Sequence, residues 1–153
     1  MATRDEIKTF LTTDLITLLA ATHPCNAEDI YFGKLTRTHR AANEIFLKWD
    51  REPPVYRDAG RVITSTVTIE LYRSVMEPYE EPPFQDEMEA ATTIILDTYD
   101  GDDAIDRFQP TITRDIDAVN CTEVTDIIQS EPGDMYQTII SKLFALEVIT
   151  CES

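Results

Sequence analysis

Residues 61–75 alternate over a long stretch. Ile63, Val67, Ile69, Leu71 and Val75 fall on one side, and Thr64, Thr66, Thr68 and Glu70 on the other. β-Branched residues on both sides of such a run favour a pleated strand with one buried face. A strand of this length cannot stand alone, so the chain must build a sheet and a second layer to cover it. Residues 43–50 repeat the pattern, with Ile45, Leu47 and Trp49 opposed to Glu44, Phe46 and Lys48. The two runs are expected to pair as an antiparallel hairpin. Between them, the loop 50–60 carries the tandem Pro53-Pro54, which argues against regular pairing there.

Helical spacing appears twice. Thr3 and Glu6 fit a capping box, and Ile7, Phe10, Leu11, Leu15, Leu18 and Leu19 follow at three- and four-residue steps, predicting a helix over 4–21. Phe84, Met88, Ala91, Ile95 and Tyr99 step in the same way after the prolines of an acidic connector over 76–83, and that helix should end near Gly101. Residues 29–33 read as a short strand stopped by Gly33. Ile112, Ile116 and Ala118 alternate with Thr113, Asp115 and Asp117, which predicts a further strand, and 121–134 reads as mostly turn. From Met135 to Thr150 apolar residues occupy both faces, as in a strand buried on two sides or buried on one and in an interface on the other. The expected order is α-β-β-β-α-β-β in one domain over 1–153. The expected class is α+β, a mostly antiparallel sheet with two main helices packed on one face.

Thirteen basic residues face 29 acidic ones, a net charge of −16. The acids are dispersed, and nine arginines outnumber four lysines. Such a chain repels itself at low salt; at about 1 M salt the Debye length falls to about 3 Å and the repulsion is screened. The composition is similar to that of proteins from halophilic cells. An acidic mimic of DNA and a merely acidic mesophilic protein are the competing interpretations, and a mimic would concentrate carboxylates in a stripe. The lack of a visible basic patch argues against wrapping nucleic acid. Three cysteines without a C-x-x-C pair point to neither a disulfide framework nor zinc. No apolar run reaches the roughly 20 residues of a membrane span, and the first residues lack a signal-peptide pattern, so a protein acting or assembling inside a cell is expected.

No catalytic constellation emerges. His23 and His39 stand apart from any nucleophile or carboxylate at motif spacing, and no phosphate-binding glycine loop is present among four glycines. The acidic run 97–103 suggests calcium, but with Gly101 at the sixth loop position, Leu96 and Arg107 fall at positions one and twelve, where an EF-hand needs carboxylates. Neither catalytic residues, nor a cofactor, nor a metal is therefore expected, and the chain reads as a non-enzyme. The segment 49–61 is the exception to the acidity. Trp49, Arg51, Tyr56, Arg57 and Arg61 gather Arg and aromatic residues of the kind enriched in protein contacts, and they form the candidate subunit interface.

The element order carried by Ile7–Leu19, Ile30-Tyr31-Phe32-Gly33, Arg61–Val75, Phe84–Tyr99 and Tyr136–Thr150 resembles the tail-terminator and tail-completion (neck) proteins of long-tailed viruses. That resemblance implies a homo-oligomeric ring, a hexamer, that caps the tail tube and contacts tail-tube and neck proteins. DNA would pass through its lumen without specific binding. With the acidic composition, it implies a virion protein of a haloarchaeal virus, assembled in the host cytoplasm, with no membrane partner. Other neck or head-completion proteins and an acidic DNA-mimic inhibitor are the alternatives.

Overall fold

The computed structural model describes residues 3–33, 43–50, 55–57, 60–75, 81–130 and 138–152. Helices α1 (Thr3–Leu18), α2 (Glu81–Thr98) and α3 (Asp102–Phe108) accompany seven strands. These are β1 (Ile30–Phe32), β2 (Asn43–Asp50), β3 (Val55–Arg57), β4 (Gly60–Val75), β5 (Asp115–Glu123), β6 (Ile128–Ser130) and β7 (Thr138–Glu152). One sheet runs β1-β2-β4-β7-β5, with β3 continuing the β2 edge of β4 and β6 the β5 edge of β7. Only the β1–β2 pair is parallel among the described strands. The helices lie on one side of the sheet, and the class is α+β.

The long alternation around residue 67 forms β4, in the middle of the sheet. It pairs with β2 from Asn43↔Arg73 to Asp50↔Thr66, and with β7 from Arg61↔Glu152 to Val75↔Thr138. Register puts Ile45, Leu47, Val67, Ile69, Leu71, Phe144, Leu146 and Val148 on one face, and all are fully buried. Ile7, Leu11 and Leu15 of α1 and Met88, Ala91 and Ile95 of α2 close over them. Each such side chain contributes about 1.5–3 kcal/mol through removal from water. The opposite face carries Thr64, Thr66, Thr68, Leu143, Ala145 and Ile149, all half-buried.

Several local expectations are corrected. Thr3 is already helical, so it does not cap α1, and Glu6 turns its carboxylate to Thr113 instead, accepting from the backbone N–H at 3.1 Å and the hydroxyl at 2.6 Å. The first helix stops at Leu18 rather than 21. The proline loop does pair in part, because β3 resumes the ladder beyond Pro54, with Tyr56 opposite Arg61. Helix α3, unforeseen, follows Gly101, whose φ of +96° is reached without strain by glycine alone among common residues. Asp102 and Asp103 lie in its first turn, where a helix favours negative charge.

The strand expected over 112–118 lies at 115–123. A register shift between Ile116 and Ala118 changes its phase, so Ile116, Val119 and Cys121 all point to the core while Ala118 does not. β6 interrupts the stretch expected to be turn. His39 lies outside the described residues.

Phe144→Ala should lower stability by about 3–5 kcal/mol, since the cavity under α2 cannot collapse onto a pleated sheet. Leu143→Ala, one residue along on the opposite, half-buried face, should cost clearly less. Denaturant midpoints of the two variants in the same salt check the contrast.

Candidate subunit interface

Trp49, near the end of β2, shares the helix-covered face with Ile45 and Leu47 but stays half-buried at the sheet's flank. Phe32 lies beside it by register, opposite Leu47, and is 43% exposed. α1 crosses above this corner. Its Arg4 guanidinium carbon stands 5.3 Å from the Trp49 ring centroid, and Lys8 Nζ 4.1 Å from that of Phe32. Arg4 and Lys8 are four residues apart, one turn along the same side of the helix, and both are exposed. Each cation–ring contact is worth about 0.5–1 kcal/mol in water and more once desolvated.

Of the residues singled out from sequence, Trp49 is part of this corner. Tyr56 and Arg61 are register partners across β3–β4, with Arg57 opposite Gly60. Arg51 and the side chains of Tyr56, Arg57 and Arg61 lie outside the described residues. Arg4, Lys8 and Phe32 escaped sequence reasoning. The available signal was the Arg4/Lys8 pair at i, i+4, two cations of one sign in an acid-rich chain.

Three polar assemblies hold the layers in place. Asp14 of α1 accepts from the Tyr99 hydroxyl at 2.7 Å and, bidentate, from Arg107 at 2.9 and 2.8 Å. One carboxylate thus joins α1, the end of α2 and α3. Burial, with Asp14 next in effect, pushes the Tyr99 phenol well above its ordinary range. Lys142, 2% exposed on β7, gives its ammonium to Glu123 at 2.7 Å and to the Thr125 carbonyl. It floors a cleft of about 550 Å³ under α2, rimmed by Glu89, Glu123 and Asp126. The third assembly is at the far end of the sheet, where the Asn43 amide donates to Pro24 O at 2.8 Å and accepts from Arg73 at 2.5 Å. There His23 bonds Glu44 O at 3.2 Å, and since a carbonyl only accepts, Nε2 carries the proton.

Burial dominates the titration of these groups. It lowers His23 to about 4, opposed by its backbone bond and aided by Arg73, so the ring is neutral near pH 7. Cys25 is raised to about 12 by burial, then by Asp29 and Glu44, and Cys121 to about 12 by burial and Asp100. Both thiols stay protonated, the weakly nucleophilic form. Asp100, from the acidic run that suggested calcium, accepts from the Cys121 N–H at 3.0 Å, while the Gly101 N–H bonds Val119 O. Among the described residues no group of three or more His, Cys, Asp and Glu is placed to hold a metal ion. Nor is any helix long and apolar enough to cross a membrane. The arrangement is a cationic aromatic corner on a pinned scaffold. No protein-family model and no curated protein matches the chain.

His23 has a depressed folded-state pKa. Its neutral form therefore supports the fold fully above about pH 6.5, and the support is lost as pH falls through the folded value near 4. Between pH 7.5 and 4.5 this amounts to on the order of 2–3 kcal/mol. His23→Gln, which can still donate to Glu44 O, should be the less stable protein at pH 7.5 and close most of that gap at pH 4.5. Denaturant midpoints at the two pH values measure it; a gap that stays constant would contradict the neutral buried ring.

Proposed function

We propose that the chain is a virion structural protein, a tail-terminator-like subunit of a ring that caps a tail tube and joins it to the neck. The observation that carries this is the cationic aromatic corner of Arg4, Lys8, Phe32 and Trp49 on a molecule of net charge −16. A protein so acidic meets its own kind only through a locally attractive surface, and this corner is one. The element order supports the same conclusion: a first helix, a short strand ending at Gly33, a hairpin with a long interrupted arm, a central helix and closing strands. Abundant carboxylates suit a lumen through which DNA slides without adhering. Contacts to tail-tube and neck proteins, the hexameric count and a halophilic viral setting belong to the same proposal.

One observation favours a second reading. Asp86, Glu89 and Asp97 lie along the solvent side of α2, all exposed, in a helix that contains no basic residue. Such a row suits a DNA mimic that binds a basic enzyme as a monomer.

Light scattering in about 2 M and about 0.1 M salt separates them. A hexamer at high salt that dissociates or unfolds at low salt is the expected outcome. A folded monomer, indifferent to salt, would remove the halophile and solution-ring claims together and leave the mimic.

A further inference from the structure

The ring proposal leaves open which surface the cationic corner meets. We infer that it docks on the solvent face of α2 of a second copy of this chain, against Asp86, Glu89 and Asp97. This rests on the ring reading and adds the identity of both halves of the contact.

The two surfaces are complementary in charge and similar in the spacing of their charges. Arg4 and Lys8 are separated by four helical residues, about 6 Å along the axis, and Asp86 and Glu89 by three, about 4.5 Å. Two helices laid side by side can therefore bring two cations against two carboxylates. Asp97 extends the row further along α2, eight residues beyond Glu89 and on the same side. Exposed Phe32 and half-buried Trp49 supply the apolar area that an ion-pair contact lacks, and desolvating rings that already hold cations strengthens those pairs.

Within one chain the two surfaces cannot be the same patch. The corner stands over the β1–β2 flank, whereas α2 packs on β4, β7 and β5. A contact between unlike patches is heterologous, and repeated head to tail it closes into a ring when the rotation permits. A two-fold dimer would instead need a self-complementary patch, and two cations over two rings do not complement a copy of themselves. Salt acts on the two ranges differently. At about 1 M it abolishes the long-range repulsion between highly acidic copies, while contacts at direct touching distance persist.

Charge exchange tests the pairing. In about 1 M salt, Arg4→Glu with Lys8→Glu should raise the dissociation constant of the assembly by more than about tenfold, as should Asp86→Lys with Glu89→Lys and Asp97→Lys. Each variant carries two surfaces of one sign. Mixed in equal amounts, they should regain the wild-type mass by light scattering, because each corner then meets an α2 face of opposite sign. Phe32→Ser, which leaves every charge in place, should weaken the wild-type assembly, and far-UV circular dichroism confirms that each variant is folded. If the wild type assembles and both charge variants keep its mass, or the mixture stays dissociated, the corner binds something else and the inference is overturned while the ring survives. A wild type that is monomeric at every salt concentration removes the ring and the inference with it.

Discussion

The ladder between β4 and β7 is the interaction on which the other elements depend. It pairs fifteen residues on each side, from Arg61↔Glu152 to Val75↔Thr138, and occupies the centre of the sheet. Pairing at this length fixes which side chains face which way, since a slip of one residue would turn either Val67, Ile69 and Leu71 or Phe144, Leu146 and Val148 outward. β2 then docks on the free edge of β4, and β5 with β6 on the free edge of β7. The apolar face so assembled is too wide for one helix, and α1 and α2 share it. The helix layer is pinned where it meets polar loops: Asp14 to Tyr99 and Arg107, Glu6 to Thr113, Asp100 to the backbone of β5.

Acidity shapes what remains exposed. Asp86, Glu89 and Asp97 are exposed along α2, a helix without a basic residue. Several described cations are committed to partners within the chain: Arg107 to Asp14, Lys142 to Glu123, and Arg73 to Asn43, with its guanidinium 3.8 Å from the Phe84 ring centroid. Arg4 and Lys8 lie instead at the surface over aromatic rings, and this separates a structural charge from one available to a partner. The same economy explains His23 and the thiols of Cys25 and Cys121. Burial keeps each neutral, so they fill space and bridge backbone without adding charge to an already strained surface.

How much was legible in the sequence varied with how local the cause was. The hairpin of β2 and β4 was readable because alternation and burial of one face are properties of each strand by itself. α3 was not, because seven residues offer too little periodicity and its start depends on the positive φ of Gly101. The bulge near Asp117 hid the true core residues of β5, since the phase of the pattern changes there and a constant alternation picks Ala118 over Val119. Trp49 was identified as a contact residue from its arginine-rich neighbours. Its ring nevertheless lies under Arg4, 45 positions earlier, and Phe32 lies under Lys8 in the same way.

By itself, then, the sequence determined the class of the fold and the two faces of its main strands and helices, because side-chain periodicity follows directly from backbone geometry. It also determined the net charge and hence the salt dependence of any self-association. The tertiary structure alone decided where α1 crosses the sheet, which carboxylate joins three helices, and which cations stand over exposed rings. Those depend on packing between segments distant in the chain, where the deciding energies are sums of contacts that no local pattern records.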